Sequence, residues 1–67
     1  MTPLEALYDL GKEKLHTYKI EYTNMFGQII TPTSVEMQNE KVGKIAIYPT
    51  QKNVLISIYT TRRDDTI

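Results

Sequence analysis

The feature that narrows this chain most is a run of alternating residues near its C-terminus. Ile45 and Ile47 alternate with Lys44, Ala46 and Tyr48. Val54, Ile56 and Ile58 alternate with Leu55, Ser57 and Tyr59. A period of two places successive side chains on opposite faces of a strand. The intervening residues, Pro49 to Asn53, form a turn-rich break. The spacing predicts a hairpin of residues 44–48 and 54–60, with the isoleucines and Val54 on one face. Ile47 must then lie opposite either Val54 or Ile56, because a slip of one residue turns one set outward. Both registers are open at this level.

Size sets the next limit. The chain has 67 residues, no cysteine and one histidine. A domain this short buries only about 60% of the surface its unfolded chain exposes. Disulfides, a metal or a partner subunit usually make up the difference. Without cysteine, and with a single histidine, association is the expected route. At 40% hydrophobic and 24% charged, the chain is too apolar for disorder. It reads as a single small α+β domain over residues 1–67, fraying at 1–2 and 62–67. Eight basic residues balance eight acidic ones, so the basic excess of most DNA-binding modules is missing. Apolar runs stop at four residues, far below the ~20 that span a bilayer. No signal-peptide pattern opens the chain, so a cytoplasmic protein that avoids the membrane is expected.

The N-terminus carries a helix start. Thr2-Pro3-Leu4-Glu5 fits a capping box with proline at the first helical position. Leu4, Leu7, Tyr8 and Leu15 follow at helical spacing, predicting a helix over 3–14 with that stripe facing the core. Gly11 either ends the helix or marks a close crossing over the sheet. The period then changes to two. His16, Tyr18, Ile20 and Tyr22 alternate with polar residues and predict a strand. Asn24 to Gly27 reads as a turn. Residues 28–31 read as a second strand stopped by Pro32. Val35 and Met37 alternate with Ser34, Glu36 and Gln38, which predicts a short third strand, and 39–43 reads as a loop. The expected architecture is an N-terminal helix packed on a small antiparallel meander sheet of three to five strands. A small bent barrel behind the same helix is the alternative.

Chemistry-bearing constellations are sparse. His16 has no carboxylate or second ligand at a useful spacing. Ser34 and Ser57 lack a local base. Phosphate-loop, dinucleotide and zinc-protease motifs are absent. No enzyme activity, cofactor or metal is therefore expected. The second face of the last hairpin is more informative. Tyr48, Leu55 and Tyr59 share the face away from the predicted helix, and tyrosine is enriched in interfaces. They are the candidate partner or dimer face, and a homodimer is expected. Lys41, Lys44, Lys52, Arg62 and Arg63 are the candidate contacts for a nucleic acid. With Tyr48 and Tyr59, Lys41, Lys44 and Lys52 would form a stacking surface for a single strand.

An N-terminal helix followed by about five short strands in under 70 residues resembles the Sm-like RNA-binding ring proteins. Residues 25–29 and Lys52-Asn53 stand roughly where that family has its second strand and a late loop pair. The turn at Asn24 is shorter than the family's first hairpin. Thr31-Pro32-Thr33 stands where its Asp-containing motif belongs, so no functional residue carries over.

These readings lead by exclusion to a small non-enzymatic binding protein. The expected function is an inhibitor or adaptor that occludes a larger protein target, in the manner of phage or mobile-element proteins such as anti-defence or host-takeover factors. The alternative is a small oligomeric nucleic-acid-binding protein of the Sm-like kind.

Overall fold

The structure, a computed structural model, describes residues 1–15 and 17–63. Its elements are α1 (Pro3–Lys12), β1 (Lys19–Thr23), β2 (Ile29–Ile30), α2 (Ser34–Asn39), β3 (Val42–Tyr48) and β4 (Asn53–Ile58). The four strands form one sheet in the order β2-β1-β4-β3. β1 and β2 are antiparallel, as are β3 and β4, but β1 and β4 run parallel. The sheet is therefore mixed and is not the expected antiparallel meander. Its edges, β2 and β3, stay apart, so it is not a barrel either. The chain leaves one edge at β2 and reaches the other at β3, and α2 lies on that crossover. Parallel strands need such a connection, whereas a tight turn suffices for antiparallel ones.

The predicted capping box forms at α1. Thr2 N–H donates to Glu5 Oε1 at 2.8 Å, and Glu5 N–H donates to Thr2 Oγ1 at 3.2 Å. The helix ends at Lys12, two residues earlier than its spacing predicts. Lys14 takes the left-handed conformation (φ 61°), and Leu15 N–H donates back to the Leu10 carbonyl at 3.0 Å. That bond caps an orphan carbonyl in the Schellman manner, without a glycine. Gly11 plays neither expected role. It is exposed, and a side chain there would meet nothing.

The buried face of α1 also differs from the expected stripe. Pro3, Ala6 and Leu10 face inward, while Leu4 and Tyr8 are exposed. Apolar residues occupy most of the circumference of this helix. The sheet covers one arc of it, the one that carries Ala6, Leu10 and Pro3. The core is Ala6 and Leu10 against Val54, Ile56 and Ile58, with Leu15, Tyr18, Ile20, Tyr22, Val42 and Ile45 packed around them. Of the two hairpin registers, Ile47 opposite Val54 and Ile45 opposite Ile56 is adopted. β3 starts at Val42, inside the stretch read as a loop, and its register shifts between Val42 and Lys44.

The expected third strand is the helix α2. Thr33 and Glu36 form a second capping box, with Thr33 N–H to Glu36 Oε1 at 2.8 Å and Glu36 N–H to Thr33 Oγ1 at 3.2 Å. The alternation of Val35 and Met37 is accidental, for no residue of α2 is buried. The second helix and the four strands also set the fold apart from the five-stranded Sm-like pattern.

The turn at Asn24 forms as predicted. Asn24 Oδ1 accepts from the Phe26 and Gln28 N–H groups at 2.9 and 3.0 Å, and Gly27 sits at φ 79°. β1 begins only at Lys19, and His16 lies outside the described residues. Hydrogen bonds also hold the ends that were expected to fray. Val42 N–H donates to the Met1 carbonyl at 2.8 Å, and Asn24 Nδ2 donates to the Arg62 carbonyl at 3.0 Å. Residues 64–67 lie outside the described set. No helix among the described residues is long and apolar enough to cross a membrane.

Candidate binding face

α1 packs on one face of the sheet and α2 packs beside α1. The other face carries no helix among the described residues. Its composition follows from strand parity and register. Three rows cross β1, β4 and β3 in turn: Lys19, Asn53 and Tyr48; Glu21, Leu55 and Ala46; Thr23, Ser57 and Lys44. Leu55 and Ala46 form a half-buried apolar centre. Tyr48 is 43% exposed at one end of the face.

Tyr59 follows β4 at the other end, and its placement depends on Gly43. A Cβ at Gly43 would lie 2.9 Å from Tyr59 Cζ. Only a glycine lets the ring rest there undisturbed. The ring borders a shallow hollow of about 330 Å³ whose floor is Thr23, Ser57 and Lys44 and whose far rim is Met25. Thr23 Oγ1 donates to Ser57 Oγ at 3.2 Å, which leaves the Ser57 O–H free to donate elsewhere. Among the described residues no carboxylate or histidine lines the hollow. The expected trio of Tyr48, Leu55 and Tyr59 thus does share this face, spread along it rather than clustered.

The basic candidates separate. Arg62 belongs to the framework. Its Nε donates to Glu36 Oε2 at 2.9 Å, and its Nη2 donates to Glu36 Oε1 and to the Thr31 carbonyl, each at 2.9 Å. This fork of donors holds the Glu36 carboxyl down at about 2, with the Thr33 N–H adding to the effect. Arg62, a candidate nucleic-acid contact, is thus engaged as a clamp between the C-terminal segment and α2. The Arg63 guanidinium lies 4.2 Å over the Phe26 ring. Lys52 sits in the hairpin turn in a left-handed conformation (φ 51°), at the opposite end of the sheet from Lys41 and Lys44. Of the five, Lys44 stands on the open face, and Lys41 lies across from Tyr59, whose N–H donates to the Lys41 carbonyl at 2.8 Å.

Lys19, Glu21, Thr23 and Ser57 complete the face. Hairpin alternation places Ser57 there. The three β1 residues follow from the parallel pairing of β1 with β4, which has no local signal. Charge is unevenly divided between the layers. Glu5, Asp9, Glu13, Glu36 and Glu40 lie on or beside the helices, against Lys12, Lys14 and the Arg62 that clamps Glu36. Among the described residues of the open face, Lys19 and Lys44 meet one acid, Glu21, whose Oε1 accepts from Asn53 Nδ2 at 3.0 Å.

Comparison with family models, with curated proteins and with solved structures finds no match for this chain. Among the described residues no cluster of three His, Cys, Asp or Glu side chains is placed to hold a metal ion.

Proposed function

We propose that this chain is a non-enzymatic binding protein, an inhibitor or adaptor that covers part of a larger protein with its open sheet face. The observation that carries the reading is the composition of that face. A half-buried apolar centre of Leu55 and Ala46 lies between two exposed tyrosines, and the lysines outnumber the acids. Aromatic anchors around a desolvated centre are the usual source of interface energy. Lys19 and Lys44 favour a partner whose apolar patch is rimmed by acids. The two hydroxyls in the hollow bond each other and have no base beside them among the described residues, which fits binding rather than catalysis. Occlusion of a cytoplasmic target by a phage or mobile-element product remains the setting that best suits so small a domain.

The charge division favours one second reading. Lys19 and Lys44 beside Tyr48 and Tyr59 also suit a single-stranded nucleic acid, with bases stacked on the tyrosines. Capture from nuclease-treated lysate separates the two. The protein reading expects one stoichiometric protein partner, retained by wild type and lost by Leu55→Lys, with both chains equally folded by circular dichroism. Recovery of nucleic acid alone, with binding that collapses as salt rises, overturns it in favour of the second.

A further inference from the structure

β3 is an outer strand, and its free stretch is short and well defined. Where it starts, the Met1 carbonyl already takes the Val42 N–H. Where it ends, Pro49 follows Tyr48 and the hairpin turns. Between these points residues 44–47 make no backbone hydrogen bond, among the described residues, on the side away from β4. Exposed edges are normally blunted by lysine or proline on the strand, by a bulge, by inward-pointing charge or by a covering element. Here the register shift between Val42 and Lys44 and the Lys44 side chain guard one end and Pro49 the other, which leaves Ile45, Ala46 and Ile47 without such a device. A cleft of about 360 Å³ runs between α1 and β3, lined by Leu10, Leu15, Ile45 and Ile47, with the acids Asp9 and Glu13 of the helix side also on its wall. Ile47 is left 45% exposed.

We propose that the occupant of this edge is the β3 of a second copy, paired antiparallel about a two-fold axis at Ala46. Three constraints set that register. The isoleucine faces of both copies must coincide, which excludes every odd slip. A two-fold at Ile45 would draw in Val42, where Met1 already sits. A two-fold at Lys44 would set two ammonium groups against each other. About Ala46, Lys44 lies across from the partner's Tyr48, where an ammonium and an aromatic ring attract. Ile45 lies across from the partner's Ile47, and the two clefts merge along the shared isoleucine floor, with Asp9 and Glu13 on their helix-side walls. The open faces of the two copies become one continuous eight-stranded surface. This assembly leaves Leu55 and the Thr23–Ser57 hollow free, so it goes beyond the proposed function and does not depend on it.

The chain has no cysteine, so single introduced thiols report the register directly. With a short bismaleimide, Ala46→Cys should link to its own copy. Lys44→Cys mixed with Tyr48→Cys should link better than either alone. Leu55→Cys should not link, because three strand spacings, about 14 Å, separate it from its copy. By sedimentation the wild type should be dimeric at about 100 µM, and Ile47→Lys should weaken the dimer at least about tenfold. A wild-type monomer at that concentration overturns the proposal. So does linking of the Leu55→Cys variant without linking of the Ala46→Cys variant, which would mean that the copies stack face to face. The thiol pairs keep the test open even if Ile47→Lys does not fold.

Discussion

The two helices begin with the same four-residue device and are stabilised by different physics. Thr2 and Glu5 close one capping box, and Thr33 and Glu36 close the other with the same pair of distances. Beyond the cap they diverge. α1 buries Pro3, Ala6 and Leu10 against the sheet, while Val35 on α2 is 66% exposed and no residue of α2 is buried. What α2 has instead is Glu36, which keeps its cap bonds and also receives the fork of Arg62. Glu5 has no comparable partner among the described residues, and its carboxyl is lowered by its bonds to Thr2. An identical local signal can thus start a helix that rests on apolar burial or one that rests on a charge clamp. A capping box identifies a helix start and leaves open what holds the helix in place.

The comparison is broken first at Leu10. Leu10→Ala removes a nearly buried side chain from the centre of the core and should cost about 3 kcal/mol. In so small a domain that is a large share of the total. Urea denaturation should show a much lower midpoint with an unchanged slope. A loss below about 1 kcal/mol would mean that α1 is not the covering element it is taken to be.

Glu36→Gln tests the clamp. It keeps the shape of the side chain and removes the charge that Arg62 encloses, so a loss of about 2 kcal/mol is expected. The pH dependence carries the same information. The Glu36 carboxyl falls from its ordinary 4.5 to about 2 in the fold. A lowered folded-state pKa gives stability that is complete above the unfolded value and is lost as pH falls through the folded one. Thermal midpoints should therefore decline between about pH 4.5 and about pH 2. Glu36→Gln should flatten most of that decline, and Glu5→Gln should leave most of it. Equal flattening by both would erase the distinction between the helices.

The smallest effect is expected at Val35. Val35→Ala should change stability by less than about 0.5 kcal/mol, since its side chain faces solvent and alanine favours a helix. A clear loss would show that α2 has an apolar contact after all, either within the chain or across an interface.

Elements with short-range causes were legible in the residues. The first capping box, the Asn24 turn and the last hairpin each depend on groups a few positions apart, and each is present. The second capping box was equally legible. It was hidden by a coincidental alternation at Val35 and Met37 after a proline that reads as the end of a strand. Placing the α1 stripe at Leu4, Leu7 and Tyr8 failed for a related reason. The apolar arc of that helix, from Ala6 and Leu10 through Pro3 and Leu7 to Leu4 and Tyr8, is wider than the sheet can cover, and its period does not say which edge of the arc is buried. The open face was half legible. Hairpin parity gave Tyr48, Leu55 and Ser57, but Lys19, Glu21 and Thr23 join them through pairing with residues more than thirty positions away.

That division has a physical cause. Caps, turns and strand periods arise from hydrogen bonds and sterics among near neighbours, so composition over four to eight residues is enough to set them. The parallel union of β1 with β4, the crossover through α2 and the seizure of Glu36 by Arg62 each close a long loop. Such closures are selected by which apolar faces can be buried together and by which charges end up adjacent when they are. No short stretch of the chain encodes that choice, and in this protein it turned a meander into a mixed sheet with one face and one edge left open.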